Sequence, residues 1–137
     1  PTVAVNHNSG NVYAAWRYRN YDEEYPDCVY MLAWNGTNWL ELGESYHNEG
    51  VCGEATTRDA FSPSIGVAWA GQPIIAYVQS KLTDRLYKEV LVKKWDGTDW
   101  TPVSADGTGI VKAKSYAKGP STGHGARNRW RHRRHHR

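Results

Sequence analysis

Trp34-Asn35-Gly36-Thr37-Asn38-Trp39 and Trp95-Asp96-Gly97-Thr98-Asp99-Trp100 are one hexapeptide written twice, with Asn exchanged for Asp on both sides of Gly-Thr. An Asn-Gly or Asp-Gly pair between two strand-favouring residues is the strongest short-range signal for a β-hairpin, because a type I′ turn needs positive φ, which Asn, Asp and Gly tolerate. Each hexapeptide therefore predicts a tight hairpin, with its two Trp facing each other as a cross-strand aromatic pair.

The similarity extends backwards from both turns. Pro1-Thr2-Val3-Ala4-Val5 matches Pro63-Ser64-Ile65-Gly66-Val67, and Gly10-Asn11-Val12-Tyr13-Ala14-Ala15-Trp16 matches Gly71-Gln72-Pro73-Ile74-Ile75-Ala76-Tyr77. Trp16 to Trp34 and Tyr77 to Trp95 are both 18 residues, so the spacing is kept as well as the residue types. Such internal similarity marks a tandem structural repeat. Each copy divides into four strand-like runs, 2–6, 12–18, 29–34 and 39–42 in the first and 64–69, 74–78, 90–95 and 100–103 in the second. The unit reads as a four-stranded antiparallel meander.

Composition agrees with an all-β chain. Of 137 residues, seven are Trp and nine Tyr, against one Phe and one Met, so packing must lean on large aromatics that suit pleated surfaces. The 13 Gly and 6 Pro are scattered as punctuation. The formal charge of +3 divides unevenly. Residues 123–137 hold six Arg and no acid, which leaves 11 basic against 14 acidic residues elsewhere, a net −3. The basic character therefore belongs to the C-terminal stretch, and the body offers no reason to expect a nucleic-acid surface. No run of about 18 apolar residues is present to span a membrane as a helix.

A four-stranded unit of about 60 residues repeated in tandem is the pattern of propeller blades, each burying its faces against its neighbours. At the residues quoted, the chain resembles the P-S-x-x-V, G-N-x-x-x-A-W and W-N/D-G-x-x-W repeats of bacterial and archaeal β-propellers, which are often extracellular. It is more distantly similar to the Asp-box blades of the sialidase superfamily. There the match fails at the defining polar residues: where the Asp-box carries Ser and Asp before its Gly, this chain has Trp34 and Leu32, and Trp95 and Lys93. The resemblance implies a β-propeller of four-stranded antiparallel meander blades, two of them in this chain: residues 1–62 form a first blade with a long exit loop and 63–119 a second. Residues 120–137 would begin an aborted third repeat and run into a basic, disordered tail. Because two blades do not close a ring, the expectation is self-association, most simply as a trimer or tetramer, or further blades.

Function follows from where the loops fall. In a meander blade the first-second and third-fourth turns share one end, which is tight here, while residues 19–27, 43–62, 79–89 and 104–119 load the other end with long loops. Binding usually resides in long loops on a rigid scaffold. Tyr21, Tyr25, Tyr46, His47, Asn48 and Glu49 are the candidates there for stacking and hydrogen bonding to a glycan or protein ligand. Asp22, Glu23, Glu24 and Asp27 form a weak Ca²⁺ candidate, although their spacing is not that of an EF-hand and a solvated acidic loop is the ordinary reading. Cys28 and Cys52 both fall on the long-loop end, where a disulfide tying the exit loop to its own blade and a pair of thiols are both open. No catalytic residue, cofactor or firm metal site emerges, and the expected function is a non-catalytic binding or scaffold module of extracellular or cell-surface location. The alternative is a fragment of a sialidase-like or glycoside-hydrolase enzyme using the 22–27 carboxylates. Nucleic-acid binding would be confined to the basic tail.

Overall fold

The computed structural model describes residues 1–19, 26–53, 58–84 and 86–103, and the backbone of 111–114. It is all-β, and the described residues contain no helix. β1 (Thr2–Val5), β2 (Val12–Tyr18), β3 (Cys28–Trp34) and β4 (Trp39–Leu40) form one antiparallel sheet in the order β1-β2-β3-β4. β5 (Arg58–Val67), β6 (Pro73–Lys81), β7 (Tyr87–Trp95) and β8 (Trp100–Pro102) form the second in the same consecutive order. A ninth strand, β9 (Val111–Lys114), pairs antiparallel with the start of β7. Among the described residues neither sheet closes on itself.

Both hairpins form at the quoted hexapeptides, and Trp34 pairs with Trp39 as Trp95 does with Trp100. The turn differs from the expected type I′. Gly36 and Gly97 have φ of 97° and 104°, but Asn35 and Asp96 do not lie at positive φ. Their side chains shape the turn instead: Asn35 Oδ1 accepts from the amides of Thr37 and Asn38 at 2.9 and 2.8 Å, and Asp96 Oδ1 from those of Thr98 and Asp99 at 2.8 and 2.7 Å. Asn and Asp serve this turn as side-chain acceptors rather than by adopting a left-handed backbone. Those amide bonds, Asp99 first and Thr98 next, hold the Asp96 carboxyl below its ordinary value.

Three loop boundaries move. β5 starts at Arg58, inside the expected 43–62 loop, and crosses Pro63 through an irregularity between Phe61 and Ser64 with Ser62 at φ 52°. A bulge is where a strand accommodates a residue without an amide hydrogen. β6 and β7 reach Lys81 and Tyr87, which shortens the expected 79–89 loop to a turn. β9 occupies part of the expected 104–119 loop.

The core lies between the sheets. Strand alternation sends Tyr13, Ala15, Val29, Met31 and Ala33 of the first sheet to one face, where they cluster with Ile75, Tyr77 and Leu91 of the second. Polar bonds cross the same joint. Tyr13 OH and Asn6 Nδ2 donate to the Gly71 carbonyl at 3.1 and 3.3 Å, the Ile65 amide donates to Thr2 Oγ1 at 3.3 Å, and Trp100 Nε1 donates to the Leu42 carbonyl at 2.9 Å. Lys93 Nζ reaches the carbonyls of Cys52 and Val51 at 2.5 and 3.3 Å.

Candidate functional site

The long-loop end of the first sheet carries a cluster of aromatic rings on the face turned away from the second sheet. Trp16 and Tyr18 are two residues apart on β2 and so share that face. The register places Tyr30 of β3 opposite Trp16. Tyr18 then lies on the diagonal, near enough for large side chains to meet, and its ring stacks on Tyr30 at 4.5 Å and 10°. Tyr46 arrives from the exit connection and completes the group, 5.6 Å from Tyr30 and 6.0 Å from Trp16. Tyr18 remains 42% exposed and Tyr46 46%, whereas Tyr30 is buried beneath them.

The exit connection is held in place along the open edge of β3. β4 covers only Ala33 and Trp34 of that edge. Further up, the Met31 amide donates to the Ser45 carbonyl at 2.9 Å, buried Ser45 Oγ donates to the Met31 carbonyl at 2.8 Å, and the Val51 amide donates to Val29 at 3.0 Å. Gly50 faces Val29 in a parallel bridge with φ 62°. A Cβ there would collide with the Val29 carbonyl and lie 2.7 Å from the Tyr30 ring. Close approach of two backbones is the reason for glycine at this position.

The sequence-derived candidates divide accordingly. Tyr46 joins the cluster. His47 sits beside it, its Nδ1 2.6 Å from Glu41 Oε1, which also accepts the Tyr46 amide at 3.0 Å. Burial pushes the Glu41 carboxyl up, but the His47 hydrogen bond, the Tyr46 amide and the His47 charge together bring it below its ordinary value. Asn48, at φ 47°, contributes its carbonyl, which accepts from Tyr30 OH at 3.0 Å and from Cys28 Sγ at 3.5 Å. Glu49 is half-buried and acts through its charge, which helps raise the Tyr30 hydroxyl and the Cys28 thiol. Tyr21 and Tyr25 lie outside the described residues, as do Asp22, Glu23 and Glu24 of the Ca²⁺ candidate. The carboxylate of Asp27 is engaged by Arg17, at 2.6 Å from Nη2 and 2.8 Å from Nε. Among the described residues no group of three or more His, Cys, Asp or Glu is arranged to hold a metal ion.

Cys28 and Cys52 are both buried and are thiols in this structure, not a disulfide. Cys28 Sγ is directed to the Asn48 carbonyl on the aromatic side, while Cys52 packs in the core cluster between the sheets. Burial, followed by the Cys52 sulfur, pushes the Cys28 thiol up to about 12. Burial and the neighbouring Cys28 and Tyr18 raise the Tyr30 hydroxyl to about 12.

Trp16, Tyr18 and Tyr30 escape a reading based on loops because they belong to strands. Their period-two spacing and the matched lengths of the first copy are the signals that place them together. Trp69 is also fully exposed, but it lies at the tight-turn end, away from the cluster. Chemically, partly exposed tyrosines over a rigid aromatic floor offer flat apolar area ringed by hydroxyls and by the Glu41–His47 pair, a surface suited to a ligand with both apolar and hydroxylated faces. No described helix is long and apolar enough to cross a membrane. Comparison with protein-family models, curated proteins and solved structures finds no match to this chain.

Proposed function

We propose that the chain is a non-catalytic binding module built as two blades of a β-propeller, and that it takes a glycan at the long-loop end of its first blade. The observation that carries this reading is the Trp16–Tyr18–Tyr30–Tyr46 cluster. Its outer rings are half exposed, yet they are fixed by strand register below and by the Ser45 and Gly50 contacts above. A preorganised aromatic surface loses little conformational freedom on binding, which is what makes tyrosine an effective contact residue. A saccharide presents C–H faces to such rings and hydroxyls to the carboxylate and imidazole beside them.

The blade reading is supported by matched residues in matched places. Val3 pairs with Ala14 as Ile65 does with Ile75, and Val5 with Val12 as Val67 does with Pro73. The two Trp pairs have nearly the same geometry, 5.2 Å and 50° against 5.6 Å and 54°. An extracellular or cell-surface location goes with a glycan ligand.

A glycan array tests the proposal, read at low and high salt on the full chain and on a truncation ending at Gly119. Binding that survives truncation and salt supports it. Binding that disappears with residues 120–137 and falls steeply with salt would place recognition in the basic segment, as for a polyanion.

A further inference from the structure

The joint between the two sheets has an incoming side and an outgoing side, and each has an unused counterpart on the outside of the chain. The second sheet receives the first through Ile65, Val67 and Trp100, all packed against the core. By the sequence match their counterparts are Val3, Val5 and Trp39, which lie on the outer face of the first sheet. Val3 is 61% exposed and Trp39 52%. The first sheet offers Leu42, whose carbonyl takes the Trp100 indole, and Thr2, whose hydroxyl takes the Ile65 amide. Their counterparts are Val103, 54% exposed, and Ser64, also exposed, on the outer face of the second sheet.

Exposed apolar residues this large, grouped on a sheet face, mark interaction surfaces. Here the chain itself shows what covers such a face, because the covered version is its own internal joint. We infer that a second copy of this chain docks head to tail, its Val103 and Ser64 face meeting the Val3, Val5 and Trp39 face of the first. The indole N–H of Trp39 would then meet the Val103 carbonyl of the second copy, as Trp100 meets Leu42. The inference rests on the blade reading above and adds the partner and the two faces used.

Some internal contacts do not recur. Lys93, which donates to the Val51 and Cys52 carbonyls, has Leu32 as its counterpart, and Asn6 and Tyr13 have Ala68 and Ile74, so these side-chain donors are replaced by apolar residues in the intermolecular joint. A heterologous contact of this kind uses two different patches and propagates until rotation closes the ring. Three or four copies would supply six or eight blades.

Sedimentation velocity on the full 137-residue chain, from low to high micromolar, is expected to show concentration-dependent association. Trp39→Arg blocks the receiving face and Val103→Arg the offering face; each variant alone should associate at least about tenfold more weakly. An equimolar mixture of the two should recover a dimer, because the offering face of the first variant and the receiving face of the second remain intact. Val3→Lys serves as a second receiving-face variant, and circular dichroism confirms that each variant is folded. A wild-type chain that stays monomeric, or a mixture no better associated than either variant, would overturn the inference. The docked copy would cover Trp16 and Tyr30, whose counterparts Tyr77 and Leu91 are buried in the internal joint, so a second copy and a glycan compete for this face. Glycan binding by a chain that stays monomeric would leave the proposed function standing while removing this inference.

Discussion

The indole N–H of Trp100 lies 2.9 Å from the carbonyl oxygen of Leu42, a hydrogen bond that passes from one sheet to the other. Trp39 holds the same place in the first hairpin and is half exposed. The two residues share local pairing and differ in what covers them, which gives a direct stability comparison. Trp100→Ala should cost about 3 kcal/mol, from lost burial and a carbonyl left without its donor. Trp39→Ala should cost under about 1 kcal/mol, the value of a cross-strand pair. Urea denaturation at sub-micromolar concentration, where association does not contribute, checks the ordering; equal costs would contradict the inter-sheet joint.

Glycine at position 50 is set by contact as well as conformation. Gly50→Ala meets both the Val29 carbonyl and the Tyr30 ring at a φ of 62°, and should cost about 3 kcal/mol. Gly36→Ala has open space around it at φ 97° and should cost about 1 kcal/mol, from backbone strain alone. Thermal midpoints that fall equally for both variants would show that the exit connection does not lie against β3.

Alkaline pH should loosen the first sheet. Cys28 rises from 9.0, and Tyr30 from 10.0, each to about 12 in the folded chain. For a group whose folded value lies above its unfolded one, the stabilisation is complete below the unfolded value and is lost as pH climbs toward the folded value. The urea midpoint should therefore hold up to about pH 9 and decline above it more steeply than in a Cys28→Ala, Tyr30→Phe double variant. Parallel pH profiles for the two proteins would contradict the burial of these groups.

Much of the architecture was legible because the Trp hexapeptides and the alternating runs before them carry both turn position and strand spacing. The extension of β5 back to Arg58 was hidden by Pro63, which reads as a strand start because it lacks an amide hydrogen; the irregularity between Phe61 and Ser64 absorbs it. β9 was hidden for a different reason, since Val-Lys-Ala-Lys carries little apolar signal and finds its partner only along the part of β7 that β8 leaves open. Three of the four cluster residues, Trp16, Tyr18 and Tyr30, are not legible from loop position. Alternation puts Trp16 and Tyr18 on one face, but only the packing of the sheets decides that this face is the outer one, and only the path of residues 45–51 brings Tyr46 over it.

The most direct measurement of the binding account is a calorimetric titration of the best array glycan into the full chain, Tyr18→Ala, Tyr46→Ala and the Gly119 truncation. Each alanine variant should weaken binding by about tenfold or more, as loss of a contact aromatic does, while the truncation binds as the full chain does. The tyrosines are half exposed, so both variants should keep the parent thermal midpoint within a few degrees. Unchanged affinity in the two folded tyrosine variants would contradict the assignment of the binding surface to this cluster.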